Sequence, residues 1–423
     1  MIRVLTYPGK KEDDNPHLYL VYKEASALGI RVRPPSLQRI LREKVHVWQL
    51  HWPERRLAVD SFSRALSNVL LFLMTIDLAR ARGVKILYTL HNLSSHELCY
   101  PRLEKWFMKA LTRRLDGYVT FTETGMKAFE ERVPVRKDIP AFVIPRGHYR
   151  GAYPDRITPR EARATLGIPS EAKVVLFFGL IRSYKGVPQL VRAFREISDP
   201  EALLCVVGQP YTPALEQAVV SEASDDPRVR LHLRFVPDHD VQLYFRAADL
   251  VVLPFRQVLN SGSAMLALSF DRPLLVPLLG ALGELREQVG DEWVRTYKEE
   301  EITPRHIEEA LNWALNTTRP NRAPLEVFDP NGYAKRLVNA YRSVAVTCAE
   351  GSKADARLRS RIQVLLLSRI LLLSRKRHGQ KHRLKYPRRL KRKAVRLGRR
   401  TTRKIIRLGR RTTYRLIMKL RQG

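Results

Sequence analysis

Along the first 150 residues the spacing of apolar positions changes repeatedly between two periods. "IRVLTY" and "VKILYTLHN" read as strands, as do "VHVWQLHW" (residues 45–52), "GYVTFT" and "AFVIPRG". Between them, "LYLVYKEASALGI" and "ALSNVLLFLMTIDLARARG" carry apolar residues at helical spacing, with Gly29 and Gly83 near their ends. The alternation restarts after Pro159. "PREARATLGI", "GVPQLVRAFREI", "DHDVQLYFRAAD" and "AMLALSF" predict helices among the strands "KVVLFFGLI", "ALLCVVG", "RVRLHLRFV", "LVVLPF" and "RPLLVP". Strand and helix in strict alternation predict α/β architecture, a parallel sheet covered on both faces, here built twice. Two such doubly wound, Rossmann-like domains imply a cleft, with ligands at the carboxyl ends of the strands. A last helix, "YAKRLVNAYRSVAV", places Tyr333, Leu337, Tyr341 and Val344 on one face.

These patterns divide the chain into 1–158, 159–330, a helix at 331–350 that packs back on the body, and a tail at 351–423. The 423 residues are 44% apolar, enough for two cores. Net charge sharpens the division. Of the +34 total, residues 351–423 carry +26, so the body is only mildly basic. Within the tail "RLGRRTT" occurs at 396–402 and again at 407–413. A period of eleven is close to three helical turns, so Val395, Ile406 and Ile417 align, with arginines and lysines on the other side. "RIQVLLLSRILLLSR", residues 361–375, is apolar but too short to span a bilayer. A basic helical tail of this kind is expected to hold an anionic membrane surface through residues 352–423, each cation contributing about 1 kcal/mol.

The three cysteines lie far apart, which suits a reducing compartment and excludes a disulfide framework. The N-terminus shows no secretory apolar region. "VLLFLMTIDLA", residues 69–79, is short and holds Asp77, so it reads as a buried helix. Together these place the protein in the cytoplasm, peripheral at the inner face of the cell membrane.

Chemistry concentrates in two loops. "FFGLIRSYKG" ends a buried strand at Gly179 and brings Arg182 and Lys185 beside the start of a helix. Two cations there form an anion site, or else an ordinary solvated basic loop. "VLNSGSAMLALS" puts Asn260, Ser261, Gly262 and Ser263 ahead of another helix. Gly262 allows close backbone approach, and the free N–H groups favour a diphosphate; the bland alternative is a simple N-cap. Both loops end strands of one sheet and therefore face one cleft. Gly9, after the first strand, also permits close approach. No G-x-G-x-x-G follows any strand, so a dinucleotide cofactor is not indicated.

With "ADLVVLPF", "YTLHNLSSHE" and "VIPRGHY", these loops resemble the retaining glycosyltransferases of the large family 4 (group 1) type, with the GT-B fold, over about residues 1–350. The flavour is that of bacterial exopolysaccharide and cell-surface sugar transferases. The resemblance implies transfer of a hexose, mannosyl or glucosyl, from a GDP- or UDP-sugar to a lipid-linked or glycan acceptor, with retention and without a metal or other cofactor. It assigns the diphosphate to Arg182 and Lys185 and places His91 at the reacting sugar. His51, Trp52, His96, Glu97 and His148 are further candidates for the acceptor side or cleft, Trp52 by stacking on a sugar; His96 and Glu97 could instead start a helix, and His148 could equally pack at the domain hinge. One departure stands out. Many relatives carry two glutamates eight positions apart around the second loop; alignment on Pro273 puts Val258 and Leu266 there. Sugar recognition then falls to Asn260, Ser261, Ser263 and backbone amides. The same departure leaves open a catalytically inactive transferase-like protein, and the tail alone would support a nucleic-acid-binding one. With only Tyr414 as an aromatic in the repeat region, the tail is poorly suited to stacking bases.

Overall fold

The structure, a computed structural model, describes residues 1–6, 16–93 and 99–346. Gly9, His96, Glu97 and the tail from 347 onward lie outside the described residues. The first half runs β1 (Ile2–Leu5), α1 (Pro16–Ala27), β2 (Ile30–Arg33), α2 (Leu37–Arg42), β3 (Val47–His51), α3 (Phe62–Ala81), β4 (Lys85–Thr89), α4 (Pro101–Thr112), β5 (Gly117–Thr120), α5 (Glu123–Arg132) and β6 (Ala141–Val143). The second runs α6 (Pro159–Leu166), β7 (Lys173–Phe178), α7 (Val187–Arg195), β8 (Ala202–Val207), α8 (Pro213–Ala223), β9 (Val229–His232), α9 (Val241–Ala247), β10 (Leu250–Val252), α10 (Gly262–Ser269), β11 (Leu274–Pro277), α11 (Ala281–Val289), β12 (Val294–Tyr297) and α12 (Pro304–Asn316). It is followed by α13 (Pro330–Val346).

Each half holds one six-stranded sheet, ordered β2-β1-β3-β4-β5-β6 and β12-β11-β10-β7-β8-β9. Every paired strand among the described residues is parallel. The predicted α/β architecture is the one found. A parallel sheet is buried on both faces, which is why β7, β8 and β10 read as unbroken apolar runs. Strand order reverses between β1 and β3 in one sheet and between β7 and β10 in the other. Loops leave in opposite directions at such a point and open a crevice.

Local chemistry sets the element ends. Thr158 and Glu161 form a reciprocal capping box on α6, with Pro159 at the first turn. At Gly29 the backbone turns left-handed, with φ +84. That stops α1 at Ala27, near the expected helix end, and starts the edge strand β2, which the sequence pattern does not single out. Trp52 also takes a left-handed backbone (φ 45), so β3 ends at His51. The long strand expected at 228–236 is only Val229–His232. It is an edge strand paired on one side, the chain folds back from Arg234 to the His232 carbonyl, and Phe235 is 71% exposed.

The chain crosses between the halves twice, and the crossings touch. The His148 amide donates to the Phe328 carbonyl at 2.8 Å. After the second crossing α13 docks on the first half. Tyr333, Leu337, Tyr341 and Val344 are all buried there against Val4, Leu18, Tyr22 and Leu87, as their helical spacing predicts. α3 is the one helix among the described residues long and apolar enough to cross a membrane. Eight of its residues are buried in this fold, Val69, Phe72, Leu73 and Ile76 among them.

Leu337 is fully buried. Truncation to alanine is expected to cost about 2–5 kcal/mol, read as a lower urea midpoint with unchanged slope. An unchanged midpoint would mean α13 contributes no stability to the first half.

Candidate active site

The loops after β7 and β10 meet at the second switch point and enclose a cavity of about 250 Å³. Gly179, Tyr184 and Lys185 line it from one side. Val258, Asn260, Ser261, Gly262, Ser263 and Leu266 line it from the other, with Tyr149 and Tyr153 from the interdomain connector. No carboxylate is among its lining residues. A wider, open depression of about 740 Å³ runs along α8. All its lining residues, such as Gln217 and Val220, come from that one helix.

Lys185 is the central charge. It is buried between the rings of Phe177 and Phe255, each 5.8 Å from its ammonium nitrogen, and pairs with no carboxylate among the described residues. Burial, with a smaller push from the charge of Arg182, lowers its pKa to about 8. Gly179 sits against it at φ +126; a β-carbon there would stand 2.8 Å from the Ser263 hydroxyl and 3.2 Å from the lysine nitrogen. The guanidinium of Arg182 lies over Tyr211 at 4.3 Å.

α10 begins at the cavity. Ser261 is its N-cap, accepting from the Ala264 amide at 3.0 Å. The N-cap reading of that turn is therefore right for Ser261, whose hydroxyl is already engaged. Asn260 donates its side-chain amide to the carbonyl of His91 at 3.3 Å, tying this loop to the opposite half. Val258 and Leu266, the positions aligned with the missing glutamates, do line the cavity and make that wall apolar.

Across the cleft, the ends of β3 and β4 are polar on one face. His51 pairs in register with Thr89, and His91 follows two residues later. His91 is buried, with its ring stacked on Trp52 at 3.9 Å. Trp52 also lies under Arg55, 5.0 Å away. The stacking expected with a sugar is here made with protein groups. His51 is set back: its Nδ1 meets His91 Nε2 at 2.7 Å and its Nε2 meets the Tyr22 hydroxyl at 2.6 Å. With both ring nitrogens engaged it has none for a ligand, which corrects its place among the acceptor-side residues. His148 lies in the connector, where its Nδ1 accepts from the Arg150 amide at 3.2 Å and its own amide donates to the Phe328 carbonyl, the hinge position its place near the domain junction allows.

Several site residues carry no signal in a single sequence. Arg146 donates to the Tyr149 hydroxyl at 2.8 Å, and both lie within 3.5 Å of where a Gly262 β-carbon would be. Glu284 reaches across the interface, its carboxylate accepting from the amides of Thr124 (2.7 Å) and Glu123 (3.3 Å) at the start of α5. A carboxylate suits a helix N-terminus, so Glu284 acts as an interdomain clasp.

Comparison with known proteins settles the family. The model described as "Glycosyl transferases group 1" matches residues 159–268. The chain is 33% identical over 289 residues to a GDP-mannose:glycolipid 4-beta-D-mannosyltransferase of Xanthomonas campestris pv. campestris, covering 68% of this chain and 76% of that one. The chain belongs to the group 1 glycosyltransferases. It is also 30% identical over 161 residues to a D-inositol 3-phosphate glycosyltransferase of Corynebacterium efficiens, covering 32% of this chain and 38% of that one. Among solved structures it is similar to sucrose-phosphate synthase from Thermosynechococcus elongatus (TM-score 0.53, 15% identity, 82% of this chain and 97% of that one). It is likewise similar to Anabaena HepE in complex with UDP and glucose (0.52, 14%, 88% and 99%). At that identity the likeness concerns the fold, which is GT-B. As a group 1 glycosyltransferase the protein is a hexose-transferring enzyme whose matched family segment contains Arg182, Lys185 and the 258–266 loop.

The buried ammonium carries a stability cost that a bound anion would remove. Folded Lys185 loses its proton near pH 8, the unfolded chain only near 10.4. Its penalty is therefore complete below pH 8 and disappears as pH rises from there to about 10.4. Lys185→Met is expected to raise the stability of the empty protein at pH 7 by up to about 3 kcal/mol, and to weaken nucleotide diphosphate binding at least about tenfold. Thermal melts with and without nucleotide check both; a variant that binds as well as wild type would remove the lysine from the site.

Proposed function

We propose that the protein transfers mannose from GDP-mannose to a glycolipid acceptor at a membrane surface, with Lys185 and Arg182 holding the donor diphosphate. The observation that carries this reading is the buried Lys185, without a carboxylate partner, at the switch point of the second sheet. A cation in such a place is stabilised by an anion, and the diphosphate gains one negative charge as the bond to the sugar breaks, which the two cations neutralise. The donor base, the sugar and the glycolipid acceptor follow the name of the relative that shares most of its length with this chain. Residues 352–423 supply the cations for an anionic surface.

The reading departs from family resemblance on stereochemistry. The described residues lining the donor cavity hold no carboxylate, which speaks against retention through a covalent glycosyl intermediate and leaves same-face retention as the family resemblance implies it. Inversion in a single displacement needs one base on the acceptor side, and His91 is available across the cleft. With an α-linked nucleotide donor, inversion makes the β-linkage that appears in the relative's name. Lysine and arginine take the part a divalent ion would otherwise play; among the described residues no three His, Cys, Asp or Glu side chains gather at ligating distance.

The test is transfer of radiolabelled mannose from GDP-mannose to a polyprenyl-diphosphate-linked glycan in anionic vesicles, with UDP-glucose in parallel and EDTA present. GDP-mannose is expected to be used, EDTA to have no effect, and the new anomeric signal to show one-bond C–H coupling of a β-mannoside. Arg182→Ala is expected to raise the donor KM about 10–100-fold. No turnover with any donor would favour the inactive transferase-like protein instead.

A further inference from the structure

Behind His91 a chain of buried polar side chains runs through the first half to the C-terminal helix. His91 Nε2 meets His51 Nδ1, and His51 Nε2 meets the Tyr22 hydroxyl. The Tyr22 oxygen also lies 2.9 Å from Gln49 Oε1 and 2.9 Å from Thr6 Oγ1. Gln49 donates its amide to Thr89 Oγ1 at 2.8 Å and accepts from the Tyr341 hydroxyl of α13. Every member is buried. The chain ends at an orphan: His91 Nδ1 is buried without a hydrogen-bond partner.

With the Gln49 amide oriented so that Nε2 donates to Thr89, the proton positions along the chain follow. Gln49 Oε1 can only accept, so the single Tyr22 proton points to it, as does that of Tyr341. The Tyr22 oxygen then accepts from Thr6 and from His51 Nε2–H. Burial pushes the His51 pKa down to about 3 and that of His91 well below the usual histidine value, so each ring carries one proton. With its proton on Nε2, His51 presents a bare Nδ1, and only a protonated His91 Nε2 can meet it. His91 Nδ1 is left bare.

We propose that His51, Tyr22 and Gln49 are positioning residues that hold His91 in the Nε2–H tautomer, so that its unpartnered Nδ1 accepts the proton of the attacking acceptor hydroxyl. The proposal rests on the reading of His91 as the base of an inverting transfer. In that step the acceptor oxygen forms a bond to the anomeric carbon as its proton passes to Nδ1. The anomeric carbon–oxygen bond breaks, and its electron pair leaves on the diphosphate held by Lys185. The imidazolium so formed keeps donating Nε2–H to His51, the orienting part a carboxylate plays in a serine-hydrolase triad. Trp52, stacked on the ring, and Asn260, bonded to the His91 carbonyl, hold the ring plane and its backbone.

The experiment has two arms on the full chain. The first labels histidine nitrogens and reads long-range proton–nitrogen correlations, with His91→Gln identifying the resonances. His91 is expected to show a bare Nδ1 and a protonated Nε2. Tyr22→Phe, which keeps the ring and removes only the hydroxyl, is expected to mix the two tautomers. This arm reads the same result whether or not any donor turns over, so it stands apart from failure of the transferase reading. The second arm compares kcat and its pH profile. His51→Leu is expected to lower kcat about 100-fold, within the range of a general base, with the donor KM unchanged. His51→Asn, whose side-chain oxygen can still accept from Nε2–H, is expected to recover most of that loss. A wild-type His91 protonated at Nδ1 would overturn the proposal. So would a folded His51→Leu with wild-type kcat, or an Asn variant no better than Leu; should His51→Leu not fold, Tyr22→Phe decides by the same two readouts.

Discussion

The return of α13 to the first half is the contact on which the cleft depends. The chain leaves the first sheet once and comes back once, and the crossings are joined by the His148–Phe328 hydrogen bond. Because the returning helix buries Tyr333, Leu337, Tyr341 and Val344 in the first core, the second half is tethered at both ends. Two linkers side by side leave a hinge axis but forbid free tumbling. The carboxyl edges of the two sheets therefore stay opposed, and each contributes its switch point to the same crevice. Docking also delivers Tyr341 to Gln49. One helix thus supplies both mechanical closure and the far end of the hydrogen-bond chain behind His91.

Across the crevice the two walls differ in electrostatic character. One presents a buried ammonium without a carboxylate partner, a capped helix start and an apolar patch at Val258 and Leu266. The other presents buried neutral histidines around Trp52 and Phe121. Leaving a buried cation without a carboxylate costs stability. Folds retain such an arrangement where an incoming anion offsets the cost.

Three contacts join the walls. Glu284 clasps the start of α5, Asn260 holds the His91 carbonyl, and Leu259 packs into the first core. The last two flank the loop that enters α10. A donor filling the cavity therefore meets a loop already bonded to the strand end that carries His91. The cavity-lining loop and the His91 strand end are thus joined directly by the Asn260–His91 hydrogen bond.

Repeated apolar runs and helical spacings were enough to establish two α/β units, the paired loops at Gly179 and Ser261, and the buried face of α13. These features depend on neighbours in sequence, where periodicity and turn chemistry act directly. Short edge elements such as β2, and the helices α5, α11 and α12, escaped the pattern because charged residues dilute their apolar stripe. The roles of His51 and Glu284 were not readable at all. A strand-end histidine looks the same whether it faces a ligand or another histidine, and a glutamate at a helix start gives no sign of the amides it meets 160 residues away. Only folding, by bringing β3 beside β4 and α13 over both, decided which polar groups would be satisfied by the protein and which, like His91 Nδ1, would be buried without a partner.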